Sequence, residues 1–133
     1  MTKNIGIEVS QPKGKPDNDK NDPFHGSTKV RGRQFVGTVV SDKPHKTVIV
    51  EWERTKKIPK YERYEKRRTR VAAHNPESIG AKHGDKVKIA ECKPLSKTKH
   101  FIVIEKLGID ETKLIKEEES EELPQKVVKE VDK

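Results

Sequence analysis

Cysteine, methionine and tryptophan each occur only once in this chain of 133 residues, and aromatic residues make up 5 % of it. With Cys92 as its one thiol, the protein can close no internal disulfide, which fits a reducing, intracellular setting. Cysteine-rich zinc knuckles are excluded on the same ground. Cys92 lies in an expected strand, where it reads as a small buried side chain rather than a reactive thiol. No window approaches the ~18 apolar residues of a membrane span. The first residues lack the apolar run of a signal peptide, so the expectation is a soluble, cytoplasmic protein with no membrane partner. The motifs of common enzymes are missing too. There is no phosphate-binding glycine loop ending in Gly-Lys-Ser/Thr, no Gly-x-Ser-x-Gly elbow and no His-Glu-x-x-His. His25, His45, His74, His83 and His100 are far apart, without ligand spacing. Neither catalysis, a metal, a cofactor nor a small-molecule substrate is expected.

What the chain has is charge. Charged residues are 39 % of it against 29 % apolar, and the net charge is +8. Both classes are unevenly spread. Val30 to Asp110 holds 28 apolar residues and the rest of the chain 11, so only the middle can bury a core. Met1 to Asp110 carries 25 Lys/Arg against 14 Asp/Glu, whereas Glu111 to Lys133 carries 5 against 8. A basic domain with an acidic tail is expected of nucleic-acid binders, because clustered cations release counterions from phosphates. Composition alone fits attraction to an acidic protein or an anionic membrane equally well.

Three segments follow: an N-terminal polar extension over 1–28, a domain over 29–110 and an acidic tail over 111–133. Up to Asp22 the extension is rich in Pro, Gly, Lys, Asp and Asn without a sustained period, and is expected to order only on a partner. Strands are expected at Gln34 to Ser41 and Thr47 to Arg54, joined by the turn Asp42-Lys-Pro-His-Lys46. In the second, Val48, Val50 and Trp52 alternate with polar neighbours. Trp52 reads as a core anchor, with base stacking the minority reading. Arg54 to Arg70 holds nine Lys/Arg and two Glu, with Tyr61 and Tyr64 inside it. Pro59 and the excess of cations argue against a helix, so a basic loop running into a third strand at Lys66 to Ala73 is expected. Ser78 to Gly84 is a candidate helical turn. Further strands start at Lys86 and Phe101, separated by Lys93-Pro-Leu-Ser-Lys-Thr-Lys99, a connector with cations and no acid. Strict alternation would turn Glu91 inward behind Val87 and Ile89, so a bulge or the strand's end is expected there. Five short strands in about 80 residues suggest a small closed all-β barrel. In the tail, Glu111 to Glu122 is helix-competent but too short to be stable alone, Pro124 stops it, and Val127, Val128 and Val131 could dock weakly.

Such a chain offers a binding surface. Arginine forks onto phosphate oxygens and stacks on bases, so Arg63, Arg67, Arg68 and Arg70 outrank isolated lysines. For any single lysine, solubility is the simpler reading; for the cluster, a polyanion is. His45, His74 and His100 sit at strand ends among cations, where RNA contact is a secondary reading.

Gly84-Asp85-x-Val87-x-Ile89-x-Glu91-Cys92-Lys93-Pro94-Leu95-Ser96-Lys97-Thr98-Lys99 resembles the signature of the small-subunit ribosomal protein S-seventeen family, with Lys93 where members commonly carry Arg. Phe35-x-Gly37-x-Val39-Val40-Ser41-Asp42-Lys43, Lys46-Thr47-Val48-x-Val50 and Arg68-x-x-x-Val71-Ala72-Ala73-His74-Asn75-Pro76 are similar too. The resemblance covers about Phe24 to Leu107. The long lead with Asp22-Pro23-Phe24 and the Tyr-rich basic segment look like the archaeal and eukaryotic branch. The resemblance implies a five-stranded OB-type Greek-key barrel and no catalysis. It also implies binding to the 5′ domain of small-subunit rRNA, beside neighbouring ribosomal proteins, in support of subunit assembly. The rRNA-facing candidates it implies are Lys43, His45, Lys46 and Thr47 in the first turn, and Arg63, Arg67, Arg68 and Arg70 in the basic segment. His74 and Asn75 follow, then Lys93, Ser96, Lys97, Lys99 and His100 in the connector. The rival is a free single-strand binder of the OB type, against which the scarcity of aromatics counts.

Overall fold

The computed structural model describes residues 3–16, 18–112 and 115–116. The expectations for Glu117 to Glu122, Pro124, Val127, Val128 and Val131 lie outside them. Five strands form: β1 (Val30–Ser41), β2 (Thr47–Ile58), β3 (Arg63–His74), β4 (Asp85–Cys92) and β5 (Phe101–Ile109). They close in the order β1-β2-β3-β5-β4, antiparallel at every seam except β3–β5. That parallel seam has two rungs, Ala73 with Phe101 and His74 with Ile102. The architecture is that of the expected OB-type barrel.

Alternation fills the interior. Val39, Val48, Val50, Ala73, Val87, Ile89 and Val103 are buried in one cluster, with Ala81 joining from the β3–β4 loop. Each such Val or Ile contributes about 1.5–3 kcal/mol through burial, which lets a short apolar roster suffice. Phe35, Trp52 and Phe101 pack against the cluster. Phe35 and Trp52 stack at 4.7 Å between ring centroids, and Phe101 meets Phe35 edge-on at 5.8 Å. Trp52 is therefore part of the barrel's packing. At Gly37 the first two strands approach so closely that a Cβ would lie 2.6 Å from Val50 Cγ1 and 2.8 Å from the Glu51 carbonyl oxygen.

The opposite faces of β4 and β5 are buried as well. Ala90, Cys92, Ile102 and Ile104 form a second cluster, covered by Ile5, Ile7 and Val9 together with Val30 and Leu95. The N-terminal extension thus packs on the barrel's own outer face instead of waiting for a partner. Its period-2 spacing of Ile5, Ile7 and Val9 is what lets one side of an extended segment face the sheet. Polar contacts reinforce this strap. The Lys3 N–H donates to the Phe24 carbonyl at 2.9 Å, and the Ser10 hydroxyl donates to Glu105. Farther along, Asp22 is wholly buried and accepts from the Phe24 N–H (2.9 Å) and the Ser78 hydroxyl (2.9 Å), with His25 Nδ1 at 2.8 Å. Burial raises the pKa of the Cys92 thiol, so it stays protonated.

Two further expectations change. The basic segment is not a loop: β2 runs on to Ile58 and β3 begins at Arg63, in twelve unbroken pairs from Thr47–His74 to Ile58–Arg63. Only the turn between them is irregular, with Glu62 at φ 48°. Both faces of this stretch meet water, so no apolar alternation announces it. The expected bulge near Glu91 exists, but in the facing strand. Gln34 pairs with Ala90 and Val30 with Cys92, leaving Arg31, Gly32 and Arg33 opposite Glu91 alone. Gly32 takes φ 102° there, where a Cβ would lie 2.8 Å from Glu91 Oε2. The segment from Ser78 to Gly84 forms turns, with the Gly80 N–H donating to the Pro76 carbonyl at 3.0 Å.

Candidate nucleic-acid interface

At one end of the β2–β3 ladder, three segments distant in sequence meet. The β1–β2 turn supplies Lys43, His45, Lys46 and Thr47. The end of β3 supplies His74 and Asn75, and the β4–β5 connector supplies Lys93 to His100. Lys99 Nζ donates to Thr47 Oγ1 at 3.1 Å, tying connector to turn. The Asn75 N–H donates to the Lys46 carbonyl at 2.9 Å, tying turn to strand end. Lys46 adopts φ 49°, an uncommon conformation for a residue with a Cβ. The connector is itself a hairpin loop: the Leu95 N–H donates to the Lys99 carbonyl (2.9 Å), and Ser96 Oγ accepts from the Lys99 N–H (3.1 Å). Lys43, His45, Lys93, Ser96, Lys97 and His100 are exposed around this corner, and Lys46, Thr47 and Lys99 are half-buried.

Two candidates there are engaged inside the protein. Both ends of the Asn75 amide bind the backbone of Ala81, at 3.0 and 3.1 Å. His74 is buried, with Nε2 2.6 Å from Asp19 Oδ2, and Lys46 Nζ stands 3.8 Å from the same carboxylate oxygen and from Glu77 Oε1. Burial holds the His74 imidazole below its ordinary pKa, outweighing the pull of Asp19, and the charges of Lys99 and Lys46 push the same way. A neutral ring donating from Nε2 leaves Nδ1 buried without a hydrogen-bond partner among the described residues. For Asp19, burial opposes ionisation, but the Asn21 N–H, His74 and Lys46 together keep its carboxyl below the usual value.

Both shifts are depressions, so both make the folded state bind fewer protons than the unfolded chain. The His74 contribution is fully present above its ordinary value of 6.5 and is lost as pH falls through the lower, folded value. Stability measured by urea unfolding should therefore be lower at about pH 5 than at about pH 7.5. His74→Gln should reduce that difference, and an unchanged difference would mean that other groups produce it.

The four arginines are not brought to this corner. Arg63, Arg67, Arg68 and Arg70 run up β3 away from His74, and Arg63 is eleven residues along, about 36 Å of extended strand. Arg70 Nε donates to the buried Glu51 at 2.6 Å, Arg68 Nε is 4.0 Å from the same carboxylate, and Arg67 Nε donates to Glu65. All four guanidinium groups stay exposed.

Beyond the pair Trp52–Thr69 the two strands leave the barrel. β1 pairs with β2 only over Ile49 to Glu51, and β5 pairs with β3 only at Ala73 and His74. Residues 53–68 form a two-stranded arm with eight Lys/Arg and three Glu. Its facing pairs place cations on both sides: Arg54 with Arg67 and Ile58 with Arg63 on one, Thr55 with Lys66 and Lys57 with Tyr64 on the other. Arg54, Lys56, Lys57, Lys60 and Lys66 thus join the surface, though they were not singled out in the sequence. The run of charge was visible, but a loop gives no reason to rank its members. Among the described residues no group of three or more His, Cys, Asp or Glu is placed to hold a metal ion.

The corner and the β2–β3 ladder are the places where OB-type barrels bind oligonucleotides. Comparison with known proteins identifies a family. The family described as ribosomal protein S17 matches residues 37–105. The chain is 62 % identical over 112 residues to the small ribosomal subunit protein uS17 of Methanocaldococcus jannaschii, covering 84 % of this chain and 95 % of that one. It is 57 % identical over 107 residues to the protein of the same name from Methanopyrus kandleri, covering 80 % and 90 %. With the one from Methanococcus maripaludis it shares 56 % over 103 residues, covering 77 % and 94 %.

Proposed function

Because the chain belongs to the ribosomal protein S17 family, we propose that it is a structural constituent of the small ribosomal subunit that binds the 5′ domain of small-subunit rRNA. The barrel of 29–110 carries the binding surface, with 1–28 and 111–133 as its extensions, and the site of action is the cytoplasmic ribosome. The observation that carries this reading is the meeting of the β1–β2 turn and the β4–β5 connector at one end of a ladder whose other end is a basic arm. A rigid sheet spaces two groups of cations, and spaced cations on a fixed frame can engage phosphates of neighbouring RNA helices while fixing register. The corner residues Lys43, His45, Lys46, Thr47, Lys93, Ser96, Lys97, Lys99 and His100 take the backbone at one end. Arg63, Arg67, Arg68 and Arg70 take it along the ladder. His74 and Asn75 hold the corner in shape, by packing against Asp19 and Ala81. Its role in assembly is to hold folded RNA segments together, with neighbouring ribosomal proteins as further partners.

Sedimentation of cell extract at moderate and high salt, with the protein traced, tests the reading. Stoichiometric association with small subunits is expected, and a pool that never co-sediments would overturn it. Within the site, Lys97→Glu with Lys99→Glu should lower affinity for a 5′-domain transcript by about tenfold or more at near-physiological salt, with the fold retained. Unchanged affinity would remove the connector from the interface.

A further inference from the structure

The six aromatic residues divide into two groups. Phe24 is buried, and Phe35, Trp52 and Phe101 form the half-buried stack of the barrel. The two tyrosines lie elsewhere. Tyr61 is 64 % exposed in the turn of the arm, and Tyr64 is 71 % exposed in the adjacent pair with Lys57. Six strand residues separate this tip from Trp52, a reach of about 20 Å beyond the aromatic stack. Among the described residues neither phenol makes a hydrogen bond. Lys60 Nζ lies 5.4 Å from the Tyr61 ring centroid. Such a tip offers two ring faces with a cation already beside each: Lys60 at Tyr61, and Lys57, the residue paired across from it, at Tyr64.

We propose that Tyr61 and Tyr64 stack on unpaired nucleotides, so that the arm ends in a reader of single-stranded RNA while the cations behind it follow phosphates. This rests on the RNA-binding reading above and adds the class of RNA that the tip takes. A duplex cannot supply the contact. Its bases are stacked on one another, and the A-form major groove is too deep and narrow for side chains to enter. Loops, bulges and single strands expose base faces, and aromatic rings with flanking cations are the usual platform for them. Glu62, held at φ 48° between the two tyrosines, sets the turn that presents both rings at one tip.

The test uses the full chain and two fluorescein-labelled probes, a short oligoadenylate and a mixed-sequence RNA duplex of equal charge. Tyr61→Ala with Tyr64→Ala should lose roughly tenfold or more in affinity for the oligoadenylate. Duplex affinity should change less than about twofold, and the salt dependence should be unaltered on both probes, because no phosphate contact is removed. Tyr61→Phe with Tyr64→Phe should bind like the unmodified chain, since the ring and not the hydroxyl is used. Equal loss on both probes, or loss with the Phe pair, overturns stacking. No loss on either probe overturns it as well. Failure to co-sediment with small subunits would sink the ribosomal reading, and that outcome is separate from any of these.

Discussion

Replacing residues 53–68 by a two-residue Asn-Gly turn should leave a folded barrel whose affinity for the 5′-domain transcript has fallen by about a hundredfold or more. The fold should survive because the arm is paired only with itself beyond Trp52–Thr69, and no buried side chain comes from it. Affinity should fall because the replacement removes eight Lys/Arg against three Glu, a net of +5 out of +8. For every phosphate that the shortened chain ceases to neutralise, the slope of log affinity against log salt becomes shallower by ~0.7–0.9. Titrations over a range of salt are therefore more telling than one constant. A shortened chain that melts like the full one and keeps its slope would show that the arm touches no RNA.

The second large effect concerns stability. Asp22→Ala should destabilise the protein by about 2–5 kcal/mol, a large part of the ~5–15 kcal/mol expected of a small domain. The carboxylate is wholly buried and serves three groups at once, the Phe24 N–H, the Ser78 hydroxyl and His25 Nδ1. Alanine leaves the Phe24 donor and the buried Ser78 hydroxyl without their acceptor, and each such group costs ~1–3 kcal/mol. It also separates the extension from the loop after β3, since Ser78 is the residue on the far side. Asp22→Asn keeps an oxygen acceptor and should lose less. Urea midpoints for both variants provide the measurement, and an alanine variant within ~0.5 kcal/mol of the original would refute the account.

The barrel was legible because its signal is local. Val48, Val50, Val87 and Ile89 alternate with polar neighbours, and a half-buried strand has no other way to look. The same logic hid the arm. Between Arg54 and Arg70 both faces are solvated, so pairing is set by register with the facing strand and by nothing in the alternation of either one. The strap was hidden for a different reason. Ile5, Ile7 and Val9 are three apolar residues in a polar stretch, and their value depends on Ala90, Cys92, Ile102 and Ile104 showing a second buried face. For the site, the connector's cations could be read directly. That His74 and Asn75 would be drawn inward could not, because their partners Asp19 and Ala81 are known only once the chain is folded. Glu91 was flagged correctly as an irregularity, but the extra residues lie across the seam, in β1.

The strap also bears on the order in which the molecule can be made. Ser10 and Glu105, which it joins, are 95 positions apart. During synthesis the apolar side of Ile5, Ile7 and Val9 lacks its complete cover until β5 has followed, nearly a hundred residues later. Closing so long a span is slow, and the apolar residues of both partners face water in the interval. A nascent chain halted before Phe101 would present Ile5, Ile7 and Val9 on one side and Ala90 and Cys92 on the other. That interval is when the chain is most exposed to aggregation and to chaperones.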